Sequence, residues 1–182
     1  MAFPHTNLTT IFFGILLLPL LSFTNVHGDL VDDVCAKAQQ HSLCQKVLRA
    51  DLRSKNADLK TLGFVAIDAM TNEVKSGLSL AQSLLGRATD PRQKSPLSAC
   101  VDSLGHSIRN LEECSGSWRS GDLVGVNIQA SMAAGFAQGC DRGFSDHSIP
   151  EPPQLRNSCS TAQWIDDIIS VISSLSRPPV AA

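Results

Sequence analysis

The sequence predicts an all-α protein, an up-and-down antiparallel four-helix bundle preceded by a short helical extension. Three observations carry that expectation. Aromatic residues make up only 5% of the 182-residue chain and Tyr is absent, whereas sheets draw on aromatic and β-branched side chains. Four long segments repeat their apolar residues with the period of an α-helix. Short connections separate those segments, which sets consecutive helices antiparallel.

The chain opens with a segment that does not belong to the fold. Ile11 to Leu21 is an unbroken apolar run containing Pro19, and Met1–Gly28 carries no Asp, Glu, Lys or Arg. The run is shorter than the roughly 20 residues that span a bilayer. Val26-His27-Gly28 places small residues at the −3 and −1 positions of a signal-peptidase site. A cleaved signal is expected over 1–28, removing the Asn7-Leu8-Thr9 sequon with it and leaving a secreted chain with no membrane attachment. The expected domain spans 29–177, with 29–55 as the extension, 56–177 as the bundle and 178–182 as a tail.

Within 29–55, Val34, Ala38, Leu43, Val47 and Leu48 are the apolar points of one or two small helices. The first long segment runs from Leu59 through Leu62, Ala66, Met70, Val74, Leu78 and Ala81 to Leu85, with Asp58 as its cap and Gly86 as its stop. Thr89-Asp90-Pro91 opens the second, because a capping carboxylate followed by Pro at the first helical position is a strong start signal. Leu97, Cys100, Val101, Leu104, Ile108 and Leu111 carry it to about Cys114, and Ser115–Gly121 reads as a turn. The third begins at Asp122 and presents a stripe of small residues, Ala130, Ala133, Ala137 and Cys140. Pro150, Pro152 and Pro153 impose an irregular link. The fourth starts around Ser158 or Thr161 and carries Ile165, Ile168, Ile169, Ile172 and Leu175 on one side.

Fifteen Lys and Arg stand against 17 Asp and Glu, a net charge of −2. That balance offers no cationic surplus to neutralise phosphates, and nucleic acid is excluded as a partner. His41, His106 and His147 fall one to a segment, with no H-x-x-H or H-E-x-x-H spacing. Asp32-Asp33 and Asp166-Asp167 are adjacent pairs, whose side chains diverge on a helix and read as helix-terminus charges or solvated surface. Gly77-Leu78-Ser79-Leu80-Ala81 resembles a nucleophile elbow but falls inside a helix rather than after a strand. No catalytic site, cofactor or metal is expected, and the function is assigned to the surface.

The six cysteines leave their pairing open. None shows the C-x₂₋₄-C spacing of a zinc site. With a rise of about 1.5 Å per residue measured from the turn near Trp118, Cys100 and Cys140 differ in height by about 5 Å. Cys114 falls about 25 Å from Cys140 and similarly far from Cys159. Cys159 stands level with Cys100 and Cys140, so height leaves it a rival partner. Cys35 and Cys44 are close enough for a local staple. The favoured assignment is Cys35–Cys44 and Cys100–Cys140, with Cys114 and Cys159 free.

Several runs together resemble the plant invertase and pectin methylesterase inhibitor family. They are Cys35-(x₈)-Cys44, then Asn56 to Gly63 opening the long helix, and Thr89 to Lys94 leading to Cys100. Ser120-Gly121-Asp122 follows, leading through Asn127–Ala133 to Cys140, with Ile169–Leu175 in the last helix. The resemblance covers essentially all of the mature chain. It implies a disulfide-stapled four-helix bundle with an amino-terminal helical hairpin, and bonds joining Cys35 to Cys44 and Cys100 to Cys140. It further implies that the chain binds a target enzyme stoichiometrically, capping the cleft of a pectin methylesterase or occupying the substrate site of an acid invertase. Either would act in the cell wall, and invertase inhibitors also reach the vacuole.

Leu123-Val124-Gly125 stands where invertase inhibitors tend to carry Pro-Lys-Phe, and Gly139 and Arg142 stand where pectin methylesterase inhibitors often have Thr and Asp. The spacing and the Ser-Gly-Asp run lean towards pectin methylesterase. The expected interface lies on the second and third helices around Asp102, Arg109, Asn127, Asp141 and Arg142, on a monomer or homodimer. A lipid-binding or storage module is the alternative of another class. The chain lacks the Cys-Cys and Cys-x-Cys elements of plant lipid-transfer domains.

Overall fold

A computed structural model describes residues 29–178. The expected signal over 1–28 and residues 179–182 of the expected tail lie outside the described residues. Among the described residues there is no strand, and no helix is long and apolar enough to cross a membrane.

Helix α1 (Leu30–Cys35) and helix α2 (His41–Arg49) form a hairpin, followed by a 3₁₀ turn over Leu52–Ser54. Asp29 caps α1 by accepting from the Val31 amide at 3.1 Å. The Cys35–Cys44 disulfide closes the hairpin at its turn. Val31, Val34 and Leu48 are buried, and the Gln39 amide donates to Asp167 Oδ2 of the last helix at 2.8 Å. Gln39 Nε2 also donates to Asp167 Oδ1 at 3.4 Å, so apolar burial and two long-range hydrogen bonds hold the hairpin against the bundle.

The bundle comprises α3 (Leu59–Arg87), α4 (Pro91–Ser120), α5 (Leu123–Asp146) and α6 (Pro153–Leu175). Each of the first three has a carboxylate cap. Asp58 accepts from the Thr61 amide at 2.8 Å, Asp90 from Arg92 at 2.9 Å and Asp122 from Gly125 at 2.9 Å. Such caps satisfy amides that the first turn leaves without helical partners. Helix α3 packs on α4 and α6, and α5 packs on the same two, so the four rods form a closed square. Leu62, Ile67, Met70, Leu104, Leu111, Leu155, Ile165, Ile168, Ile169 and Ile172 fill its centre.

Three helix boundaries differ from the sequence expectation, the smallest difference being that α3 runs through Gly86 to Arg87 and is capped at Ala88. Helix α4 runs on to Ser120 instead of ending near Cys114. Ser115, Gly116 and Ser117 are poor helix formers, but the extra turn buries Trp118 and the packing outweighs propensity. The Trp118 indole lies over Gly63 and donates to the Lys60 carbonyl at 2.9 Å. The helix stops at Gly121, whose φ of 80° suits a residue without Cβ. Helix α6 begins at Pro153, earlier than Ser158 or Thr161, because Pro fits a first helical position and Leu155 packs into the core.

Candidate functional site

The surface best formed for a macromolecular partner is the outer face of α4 and α5. Val124, Ile128 and Met132 succeed one another at four-residue steps on α5 and are 64%, 52% and 47% exposed. The same line continues to Phe136, whose ring stacks on His106 of α4 at 5.0 Å between centroids. Gly135 and Gly139 leave a shallow hollow of about 330 Å³ beside Met132, Phe136 and Arg142. His106 Nδ1 also lies 2.7 Å from Arg109 Nη2, which fixes both side chains at the rim. Isolated exposed aliphatic residues are ordinary, but a continuous stripe on one helix marks an interaction face.

This face is held rigidly from behind. Ala130, Ala133 and Ala137 bring the α5 backbone close to α4. The buried Ser107 hydroxyl donates across the gap to the Ala133 carbonyl at 2.8 Å. Cys100 and Cys140 are bonded, with their Cα atoms 4.2 Å apart. Cys114 and Cys159 are free and buried. The Cys114 thiol donates to the Val126 carbonyl at 3.6 Å, and burial pushes its pKa up to about 12.

The residues expected at the interface divide into two groups. Asp102, Arg109 and Arg142 are exposed, on α4 and α5. Asn127 and Asp141 are not open surface, which corrects the sequence expectation. Both turn towards α6. Asn127 donates to Ser173 Oγ at 3.1 Å, and Asp141 accepts from Gln163 Nε2 at 3.1 Å. The apolar stripe, which sequence inspection did not single out, was visible only as the face of α5 opposite the alanines.

The Asp166-Asp167 pair is also not simple solvated surface. Asp167 anchors the hairpin, while burial raises the Asp166 pKa to about 6 against the lowering effect of its Ser131 hydrogen bond.

At the far end of the bundle, an open hollow of about 770 Å³ is lined by residues including Asp58, Lys60, Trp118 and Arg119. It lies where α4 and α6 end and α3 and α5 begin, and is a groove rather than a tunnel. Among the described residues, Cys140 Sγ, a Glu151 carboxylate oxygen and Cys159 Sγ come within 4.8 Å of one another. Cys140 is committed to Cys100, and the remaining two donors fall short of the four that a structural zinc site requires.

Residues 29–175 match the family model described as plant invertase/pectin methylesterase inhibitor. The chain is 32% identical to the pectinesterase inhibitor of Actinidia deliciosa, with 96% of this chain and 97% of that protein aligned. It is 30% identical to pectinesterase inhibitor 2 of Arabidopsis thaliana, over 78% of this chain and 81% of the relative. A putative invertase inhibitor of Platanus orientalis is 26% identical over 70% and 78% of the two chains. The crystal structure of mutant form A of a pectin methylesterase inhibitor from Arabidopsis superposes with a TM-score of 0.71 at 28% identity, covering 80% of this chain and 95% of that one.

Proposed function

Because the chain belongs to the plant invertase/pectin methylesterase inhibitor family, we propose that it is a secreted, non-catalytic inhibitor of plant cell-wall pectin methylesterase. The observation that carries this choice of target is the end-to-end likeness to the Actinidia pectinesterase inhibitor, which aligns over 97% of that protein. The mature inhibitor domain is residues 29–177, and it acts by stoichiometric capping of the enzyme's catalytic cleft.

The α4–α5 face meets the enzyme. The stripe Val124–Ile128–Met132 supplies apolar area to bury, and Asp102, Arg109 and Arg142 lie on the same two helices as a charged rim. An apolar centre with a polar rim is the usual anatomy of a protein interface. Asn127 and Asp141 serve this surface indirectly, by fixing α5 on α6.

Acid invertase is the second reading, favoured by the likeness to putative invertase inhibitors of Platanus orientalis and Platanus acerifolia. Parallel titrations separate the two. Purified mature protein is mixed in stoichiometric excess with plant pectin methylesterase at mildly acidic pH and, separately, with acid invertase acting on sucrose. Loss of demethylation with unchanged sucrose cleavage is expected. Unchanged demethylation refutes the proposal.

A further inference from the structure

Two carboxyl groups behind the α4–α5 face meet no partner enzyme directly but lie against each other. Glu151 lies in the link between α5 and α6, flanked by Pro150 and Pro152, and is 6% exposed. Its Oε2 accepts from Arg156 Nε at 3.3 Å, but Oε1 is buried with no partner. The Asp141 carboxyl of α5 lies within hydrogen-bond reach of it, and both residues line a cavity of about 370 Å³. Asp141 Oδ2 accepts from Gln163, and its Oδ1 is likewise buried and unpartnered. Two ionised carboxylates in this position would repel each other and leave two buried acceptors unsatisfied, a costly arrangement. One proton placed between them satisfies both orphaned oxygens.

We propose that the Glu151 carboxyl donates its proton to Asp141 in a hydrogen bond, forming an acid clasp that fastens the α5–α6 link at acid pH and opens when Glu151 loses that proton. The titratable and charged groups around it are Asp141 and Arg142 from α5 and Arg156 and Cys159 from α6. Burial raises the Glu151 pKa to about 7, Asp141 reinforces the effect and Arg156 opposes it. The same burial and the same carboxylates push up the Cys159 thiol, whose sulfur lies beside Asp141. The clasp therefore shields a free thiol, and opening the link uncovers it.

Glu151 has a higher pKa folded than the ordinary 4.5 it returns to on unfolding. The folded chain then binds more protons between these values, so its stability is full below 4.5 and falls as pH rises to about 7. The complete shift corresponds to a loss of at most about 300-fold in the folding equilibrium constant. Asp166 titrates partly in the same window, so the wild type is read against Glu151→Gln, in which an amide donates to Asp141 without titrating.

Denaturant unfolding of the mature chain is measured from about pH 4 to 8 for both proteins. In parallel, a thiol-alkylating reagent and mass spectrometry quantify native-state labelling of Cys159 relative to Cys114 in the wild type alone. The expected result is a wild-type stability that falls with pH relative to the Gln variant, and a Cys159:Cys114 labelling ratio that rises at least several-fold by pH 8. Parallel stability curves overturn the clasp. Should the variant fail to fold, a labelling ratio independent of pH overturns it equally.

Discussion

Gly63→Ala probes the contact that extends α4. A Cβ at residue 63 would meet Trp118 Cζ2 at 2.0 Å and Cε2 at 2.1 Å, far inside any tolerated approach. The indole is 5% exposed and hydrogen-bonded to Lys60, so turning it away from residue 63, towards the hollow it borders, gives up buried contacts and that bond. Overpacking costs about 1–3 kcal/mol. Displacing the ring also breaks the hydrogen bond to Lys60, for about 1 kcal/mol. Alanine returns about 1 kcal/mol through helix propensity. The net expectation is a destabilisation of about 1–3 kcal/mol, or roughly 3–10 °C in Tm for a domain of this size. Gly116→Ala, on the same turn of α4, meets nothing within 4 Å and serves as the control. It should stabilise the chain by up to about 1 kcal/mol. Thermal unfolding followed by far-ultraviolet circular dichroism reads both. If Gly63→Ala matches Gly116→Ala in raising Tm, the indole does not hold the end of α4.

Other expectations follow from the same geometry. Ile128→Glu, placing charge in the middle of the α5 stripe, should weaken pectin methylesterase inhibition at least about tenfold, the equivalent of one buried aliphatic side chain. Its unfolding midpoint should stay within error of the wild type, and unchanged inhibition would exclude the stripe from the interface. Cys100→Ala opens a loop of sequence separation 40 and should cost about 4 kcal/mol in denaturant unfolding, while Cys35→Ala opens one of separation 9 and should cost about 2.6 kcal/mol. An equal cost for the two would contradict the loop-entropy account. Asp122→Ala removes the α5 cap and should lower stability by about 1 kcal/mol, measured the same way.

The bundle is legible in the sequence wherever periodicity and caps agree. Asp58, Asp90 and Asp122 begin α3, α4 and α5 as local chemistry requires. The boundaries that escape are those decided by tertiary packing. Ser115-Gly116-Ser117 reads as a break because nothing nearby in the sequence indicates that Trp118 will pack over Gly63, 55 positions away. Pro152-Pro153 reads as pure interruption, although Pro153 opens α6.

The side chains of the proposed interface are harder to read from the sequence for a related reason. Asn127 and Asp141 are polar residues on a helix with an apolar inner stripe, so they read as exposed, but α6 packs along that flank as well. A helix with two buried neighbours has a narrower free face than one with a single neighbour. Val124, Ile128 and Met132 occupy that narrow face, and their apolar character favours a core reading until the square arrangement is known.

The division of labour along α5 has a consequence for how such a protein changes over generations. Folding depends on the alanines, Ser107 and the sulfur bond on its inner side, whereas the outer stripe is about half exposed. Replacing Val124, Ile128 or Met132 opens no cavity in the core, so the outer side tolerates change towards a different enzyme that the buried inner side does not. Close relatives can thereby keep one architecture and diverge in the catalyst they silence.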